Sequence, residues 1–323
     1  FSKYEIKGEK AYEELQRLCT ANIKNEIGKC TYTHMLNEGA GIETDLTVVC
    51  IDNNHFRIIS SAAVRTHDKA HILKYLSPDV EFKDVTDDII CLGVFGPKSR
   101  DLLSKLTNED LSNENFKFGT SKIIKIGSVN VWTQRLSYVG ELGYELYIDQ
   151  DKGKEIYDLI VNTGKDFKLS HCGSHAMDIM RMESGFLHWG HDISPEENQY
   201  QAGLNFAISF KKPFNFIGKE QLQKIKDQKL DRRFAMFVLK NSEPGNPLLL
   251  HEEPIYLDDD IIGKTTSGNY SFNYDKNLSF GYIKSDLSNE ELQDKNIYIE
   301  IEKKKYPAEI LLKPLKQINF KTI

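Results

Sequence analysis

The chain has 323 residues, of which 40% are hydrophobic and 11% aromatic, as in an ordinary globular protein of two or three packed subdomains. Its net charge of -6 argues against the basic surface of a general nucleic-acid-binding protein. No apolar run approaches the roughly 20 residues that a membrane helix needs. We therefore expect a soluble protein with neither nucleic acid nor membrane as a partner.

The five cysteines, at positions 19, 30, 50, 91 and 172, form no CxxC pair and lie mostly in apolar segments. This pattern is typical of free thiols in a reducing compartment, which favours the cytoplasm, or the mitochondrial matrix if the source is eukaryotic. The chain starts at Phe1 rather than Met and enters structured sequence at once, so we expect it to have been cut from a longer protein.

The first half of the chain alternates helical and strand patterns. Its helices have apolar residues at helical spacing, and its strands are short, β-branched and bounded by turn signals. The pattern predicts helices at residues 9–19, 99–106 and 152–164 and strands at 44–52, 55–60, 89–95, 130–139 and 140–148. These elements form an α+β body that ends at about residue 228, with a charged linking helix at residues 219–231.

The character of the sequence changes from Arg232 onward. Short strands alternate with Gly, Asn and Asp turns, and there is almost no helical pattern. The strands are predicted at residues 232–239, 254–258, 279–283, 296–302 and 306–312. The sequence therefore predicts two domains, a body at residues 1–228 and a small antiparallel barrel or sandwich at residues 229–323.

The stretch RLSYVGELGYELYI, residues 135–148, places Glu141 and Glu145 among tyrosines. The two glycines that flank the first glutamate predict a bend where another group approaches the backbone. Such a bend turns Glu145 toward the interior, where a carboxylate needs paired N–H donors. Either an aminopyrimidine ligand or an internal salt bridge with Arg135 or Arg181 supplies such donors.

The same stretch resembles the Tyr-x-Gly-Glu-x-Gly-aromatic-Glu motif of the glycine cleavage system T-protein family, the folate-dependent aminomethyltransferases. Further resemblances follow in the family's order: YTHMLNEGAGIETDLTV (32–48), FGPKSRDLL (95–103), HAMDIMRMESGFLHWGHDI (175–193), FNFIGKEQL (214–222) and EPIYLDDDIIGKTTSGNYS (253–271). The resemblance spans nearly the whole chain. It implies an α+β, three-lobed folate-binding fold with a C-terminal antiparallel β-barrel.

Within the family, FSKYEIKG, EEPIYLDDDIIG and the Trp of HWGHDI look more like the folate-binding C-terminal half of dimethylglycine and sarcosine dehydrogenases. Those proteins join an FAD-dependent amine oxidase half to a half of this kind. No dinucleotide-binding glycine motif follows a strand in this sequence. FAD is therefore expected only in a separate flavoprotein oxidase half or subunit, which would be a partner.

The resemblance implies transfer of a one-carbon unit from a small amine-derived donor to tetrahydrofolate, giving 5,10-methylenetetrahydrofolate, in glycine-type or methylated-amine catabolism. It assigns Asp45 as the catalytic residue, Glu145 as the pterin clamp and Tyr138 as the aromatic along the pterin. Further folate contacts are assigned to Arg181, Ser60 and Trp189. For Arg181, the alternative is a pairing with Asp178 or Glu183 or a favourable positive charge at the C-terminus of its helix.

Three positions depart from the family pattern: Ser60 replaces an Asn, Val49 replaces an aromatic residue, and Gln199 lies where the family has a Thr-Pro step. These departures concern the substrate side of the pocket. Two alternative functions therefore stay open, a folate-dependent demethylase and a non-catalytic folate-binding lobe of a larger flavoprotein. Paired histidines such as His67 and His71 have a zinc-like spacing, but no acidic residue falls at metalloprotease spacing from them, so no metal is predicted.

Overall fold

Residues 1–284 and 286–320 are described by a computed structural model of the chain. Within them, two antiparallel sheets with their helices and a closed six-stranded barrel form three lobes. The predicted α+β fold with a C-terminal antiparallel barrel is confirmed. No helix in this part of the chain is long and apolar enough to span a membrane.

The first lobe is built on a five-stranded antiparallel sheet. Its strands are β1 (Ser2–Lys7), β2 (Cys30–Leu36), β3 (Ile42–Asp52), β4 (His55–Ser60) and β5 (Glu81–Asp84), in the order β2-β3-β4-β1-β5. Helices α1 (Ala11–Leu18) and α2 (Arg65–Tyr75) cover one face, where Leu15 and Ile72 pack against Phe56 and Ile58. The hairpin predicted for the third and fourth strands is confirmed. On its other face, Val49 and Ile59 pack against Tyr147 of the second lobe.

The second lobe is a four-stranded antiparallel sheet. Its elements are β6 (Ile89–Phe95), α3 (Ser99–Leu103), β7 (Thr120–Ile126), β8 (Val129–Arg135), β9 (Gly143–Asp149) and α4 (Gly153–Gly164), with strand order β6-β9-β8-β7. The strand predicted at residues 130–139 ends at Arg135. The chain leaves the sheet there because Ser137 accepts hydrogen bonds from the backbone N–H groups of Val139 and Glu141, and Gly140 has φ of 65°.

Helices α5 (Ser174–Glu183) and α6 (Lys219–Lys226) precede the third lobe, and the linking helix is shorter than predicted. The barrel has the closed order β10-β13-β12-β11-β14-β15. Its elements are β10 (Arg233–Leu239), β11 (Pro254–Leu257), β12 (Asp260–Ser271), β13 (Lys276–Ile283), α7 (Asn289–Leu292), β14 (Ile297–Ile301) and β15 (Lys304–Leu311). Sequence periodicity did not identify β12, because glycine and polar residues interrupt its apolar alternation.

The connection between α5 and α6 crosses the start of β3. The backbone N–H of Ile42 donates to the Glu197 carbonyl at 2.9 Å. A side chain at Gly41 would collide with the Pro195 carbonyl, so only glycine permits this approach. This contact fixes the connection beside the strand that carries Asp45.

All five cysteines are free. Cys19 and Cys50 are buried, Cys30 and Cys91 are partly buried, and Cys172 is exposed. The predicted free thiols are therefore present, with the exposed Cys172 as the exception to burial.

Candidate active site between the two sheets

The site begins with the face of β3 that the helices leave uncovered. Along β3, Thr44 and Leu46 are buried in the helix-covered core, whereas Asp45 is only half-buried on the opposite face. In the pairing of β2 with β3, Asp45 lies opposite His34. The neighbouring Tyr32 belongs to the same face because it is two residues from His34.

The Asp45 carboxyl group is poised to exchange a proton at neutral pH. Burial raises its pKa to about 7, an effect that the Tyr32 hydroxyl opposes and the Asp68 charge reinforces. Its Oδ1 atom accepts no hydrogen bond from residues 1–284 or 286–320, and it lies 3.7 Å from Nε2 of His34. Its side chain keeps 18% exposure, so protein atoms enclose it while one edge stays accessible. A carboxyl group with this pKa suits general acid–base chemistry.

The second part of the site is a buried polar cluster on the sheet of the second lobe. Glu145 on β9 is 6% exposed, and its carboxylate accepts a hydrogen bond from the Tyr147 hydroxyl at 2.8 Å. Gln134 on β8 lies directly opposite Glu145. Within the described part of the chain, both of its buried side-chain amide atoms lack hydrogen-bond partners, as does Nε1 of Trp132. Burial raises the pKa of Glu145. Buried polar groups are normally hydrogen-bonded, so this cluster fits a polar ligand.

The internal salt bridge offered as the alternative for Glu145 is not what the structure builds. Arg135 follows Gln134 and therefore points to the other face of the sheet, where it donates to the carbonyl of Phe116 and to Asn113. Arg181 pairs with carboxylates outside this cluster.

An aromatic ring lies beside this cluster. Phe95 on β6 covers Gly93 and Gly143, and a side chain on either glycine would collide with the ring. Gly93 is the residue that β6 places opposite Glu145. The two glycines thus make room for an exposed aromatic surface next to the buried carboxylate.

The open faces of the two sheets meet in a small apolar cluster. Val49 and Ile59 of the first sheet pack with Tyr147 of the second, and Trp132 lies against them. Val49 is four residues from Asp45 on the same strand, which corresponds to about 13 Å at ~3.3 Å per residue. Glu145 is bonded to Tyr147 of this cluster, so it lies near Val49, whereas Asp45 lies further along β3.

Tyr138 lies in the loop between β8 and β9 rather than in a strand. Its hydroxyl donates to the Leu187 carbonyl at 3.0 Å, and its ring stacks on Phe186 with centroids 6.2 Å apart. Burial raises its pKa, and the Asp45 carboxylate contributes to the rise. The structure thus brings Tyr138 near Asp45, whereas Glu141 of the same loop pairs with Lys316.

Arg181 joins α5 to the barrel. It is 1% exposed, donates to Asp192 at 2.5 Å and to Ser267 of β12 at 2.7 Å, and also pairs with Asp178. Two residues later, Glu183 accepts hydrogen bonds from β12 and the turn after it. The alternative of a helix salt bridge with Asp178 is observed, and the structure does not bring Arg181 to Glu145.

Ser60 lies on the other side of the sheet from Asp45, and Trp189 contacts the backbone at the start of β3. Ser60 pairs with Leu46 across β3 and β4, so its side chain points to the helix-covered side of the sheet. The Trp189 indole N–H donates to the Ile42 carbonyl at 2.9 Å, and its ring contacts His67 with centroids 5.1 Å apart. Trp189 thus holds the start of β3, while its folate contact stays a prediction.

The two other positions that depart from the family pattern, Val49 and Gln199, lie in different parts of the structure. Val49 belongs to the inter-sheet cluster, and Gln199 is completely buried next to His34. Among residues 1–284 and 286–320, no group of three His, Cys, Asp or Glu side chains is arranged to hold a metal ion.

The sequence analysis missed Tyr32, His34, Gln134 and Phe95. Tyr32 and His34 could have been found from the sequence. The segments YTHML and DLTVV lie on either side of the NEGAG turn and form a hairpin, in which alternate residues face one side. No comparable signal identifies Gln134, because its position opposite Glu145 depends on how the long loop sets the register of β8 and β9.

Comparison with known families agrees with this architecture. A family model described as the GCVT N-terminal domain matches residues 1–212, and one described as the glycine cleavage T-protein C-terminal barrel domain matches residues 232–316. The chain belongs to the glycine cleavage T-protein family. The resemblance noted in the sequence is thereby confirmed.

Relatives in this family are of two lengths. The chain is 35% identical to mitochondrial dimethylglycine dehydrogenase of Homo sapiens over 321 aligned residues. The alignment covers 98% of this chain but 36% of that protein. The chain thus spans about a third of the length of this relative. An aminomethyltransferase of Caldanaerobacter subterraneus is 33% identical over 87% of the chain and 74% of its own length.

A solved structure is similar in fold. Aminomethyltransferase T of the glycine cleavage system from Bartonella henselae superposes with a TM-score of 0.85 at 20% identity, over 98% of this chain and 84% of that one. The T-protein fold therefore extends through all three lobes.

The ion pair of Arg181 gives a stability prediction. Arg181→Met leaves Asp192 buried without its cation, so the free energy of unfolding should fall by about 3–5 kcal/mol in urea titrations. Asp178→Asn removes a partner that is 33% exposed and should cost less than about 1 kcal/mol. A stable Arg181→Met variant that loses only folate affinity would contradict the structural role.

Proposed function

We propose that this T-protein family member binds tetrahydrofolate between its two sheets and transfers a one-carbon unit to it, giving 5,10-methylenetetrahydrofolate. The observation that carries the proposal is the buried Glu145 carboxylate, which accepts one hydrogen bond, from Tyr147, beside the unpartnered amide of Gln134. Removing these groups from water without partners would be costly, so their arrangement favours a ligand that bonds to them.

The residues fit the pterin ring of folate. An aminopyrimidinone presents a ring N–H and an amino group side by side, which a carboxylate such as Glu145 can accept together. The Gln134 amide offers one donor and one acceptor for the remaining polar atoms of the ring. The exposed face of Phe95 suits stacking on a planar heterocycle.

Asp45 would do the proton chemistry. Bound reduced folate supplies amine nitrogens that can take up a one-carbon unit. In its carboxylate form, Asp45 stabilises a cationic donor and accepts a proton at Oδ1, and the enclosing residues limit access of water. The fraction of Asp45 that is ionised, and hence able to act, rises with pH through its pKa of about 7.

We infer that the one-carbon unit arrives as an iminium or formaldehyde from the oxidation of a small amine. Relatives named dimethylglycine dehydrogenase and 4-methylaminobutanoate oxidase (formaldehyde-forming), the latter from Paenarthrobacter nicotinovorans, support an amine source. Their greater length supports a flavoprotein oxidase half or subunit as the partner. We place the activity in the cytoplasm, or in the mitochondrial matrix of a eukaryote. We also propose that the chain divides into two domains, at residues 1–228 and 229–323.

The pterin clamp is tested by Glu145→Gln. This variant should weaken tetrahydrofolate binding by about tenfold or more, because one charged hydrogen-bond pair is lost, as followed by the fluorescence of Trp132 and Trp189. Glu141→Gln makes the same chemical change in the neighbouring loop, where Glu141 pairs with Lys316. It should keep the affinity within about twofold. Equal weakening in both variants would contradict the assignment.

The role of Asp45 is tested by the rate of 5,10-methylenetetrahydrofolate formation from tetrahydrofolate and formaldehyde, after subtraction of the uncatalysed rate. Asp45→Asn should lower this rate by about 100-fold or more while tetrahydrofolate still binds. The wild-type rate should fall as pH drops below about 7, since protonated Asp45 cannot accept a proton. A wild-type profile that is flat between pH 5 and 9, or an active Asp45→Asn, would refute the role; these pH limits bracket the pKa by about two units.

A further inference from the structure

Behind Asp45, three side chains form a chain of hydrogen bonds that the proposed mechanism does not use. The Gln199 amide nitrogen is 2.8 Å from Nδ1 of His34. Nε2 of His34 is 3.1 Å from the Tyr32 hydroxyl and 3.7 Å from Oδ1 of Asp45. Gln199 comes from the connection between α5 and α6, whereas Tyr32 and His34 lie on β2.

The donor at one end determines where the His34 proton lies. An amide nitrogen can only donate, so Nδ1 of His34 must accept, and the ring proton is on Nε2. Nε2 then donates toward the Tyr32 oxygen, which leaves the tyrosine's own hydrogen for another acceptor. Asp45 lies opposite His34 on the same face, and the Tyr32 hydroxyl lowers its pKa, so its carboxylate is the acceptor that this face offers.

His34 is suited to act as a fixed hydrogen-bond donor rather than as a base that gains and loses a proton. It is fully buried, and burial lowers its pKa to about 3, so it stays neutral throughout the range in which Asp45 titrates. Gln199 is also fully buried. Gln199 is one of the positions that depart from the family pattern, so its role in holding His34 gives that departure a physical reason.

We propose that Gln199 holds His34 as the Nε2–H tautomer, and that His34, by donating to the Tyr32 oxygen, directs the Tyr32 hydroxyl hydrogen to the Asp45 carboxylate. His34 and Tyr32 are then positioning residues. The inference rests on the proposed function of Asp45. Hydrogen-bond donors to a carboxylate favour its charged form. This row of hydrogen bonds therefore lowers the Asp45 pKa, against the effect of burial, which raises it.

The other ionisable groups that face Asp45 come from two further elements. Asp68 on α2 raises the pKa of Asp45, and Asp45 in turn raises that of Tyr138 in the loop after β8. Neither supplies a cation. The Tyr32 hydroxyl on β2, which His34 orients, is the group that opposes the rise in the Asp45 pKa.

The first test is the pH profile of methylenetetrahydrofolate formation. His34→Leu should move the midpoint upward by about one pH unit, which is a tenfold loss of ionised Asp45 at lower pH. His34→Gln restores an N–H donor and should return the midpoint toward the wild-type value. An unmoved midpoint in His34→Leu would overturn the proposal.

Nitrogen NMR of histidine-labelled protein tests the tautomer without any activity measurement. The His34 signals, identified by their loss in His34→Gln, should show the proton on Nε2 in the wild type. In Gln199→Glu, a carboxylate faces Nδ1 and should draw the proton to that nitrogen. A wild-type proton on Nδ1 would overturn the proposal, whereas the expected tautomer in a protein that lacks transferase activity would count against the proposed function alone.

Thr20→Val is the matched control. It removes the other hydrogen bond of the same Gln199 nitrogen, at 3.1 Å, and leaves the bond to His34 in place. Its pH midpoint should equal that of the wild type, whereas Gln199→Leu should shift the midpoint in the same direction as His34→Leu. A shift in Thr20→Val as large as in Gln199→Leu would mean that loosened packing, rather than the donor to His34, moves the profile.

Discussion

The candidate site depends on the contact between the uncovered faces of two antiparallel sheets. Val49 and Ile59 meet Tyr147 there, and this small apolar cluster sets the distance between Asp45 on one sheet and Glu145 on the other. Each sheet has helices on its opposite face, so the inner faces are the surfaces still available for a ligand. A change in their separation would move both carboxyl groups relative to any molecule held between them.

The two carboxyl groups are in different settings, and this difference assigns them different tasks. Glu145 sits among Gln134, Trp132 and Tyr147, which offer hydrogen bonds, so a ligand with paired N–H donors suits it. Asp45 lies at an accessible edge with its pKa near 7, where gain and loss of a proton are both easy. The buried pair of Arg181 and Asp192 serves a third purpose, since it attaches α5 to the barrel and keeps the loop residue Phe186 beneath Tyr138.

Much of this arrangement is visible in the sequence, and the remainder depends on geometry that a single strand does not reveal. The glycines around Glu141 were enough to predict an inward Glu145, whereas Asp45 was identified by the resemblance of its segment to the family's catalytic aspartate. Ser60 and Arg181 show the limit of that reasoning. Ser60 points to the helix-covered side of its sheet because it pairs with Leu46. Arg181 donates hydrogen bonds to Asp192 and to Ser267, which lies in the barrel. His34 became significant only when the chain brought Gln199 beside it, 165 residues later.

The most direct test of the central claim is a crystal structure of the chain with a stable reduced folate, such as 5-formyltetrahydrofolate. We expect the pterin between the two sheets, its amino group and ring N–H bonded to the Glu145 carboxylate, and its reduced-ring edge directed toward Asp45. A folate bound elsewhere, or an inverted pterin with Glu145 still bonded to Tyr147 alone, would contradict it.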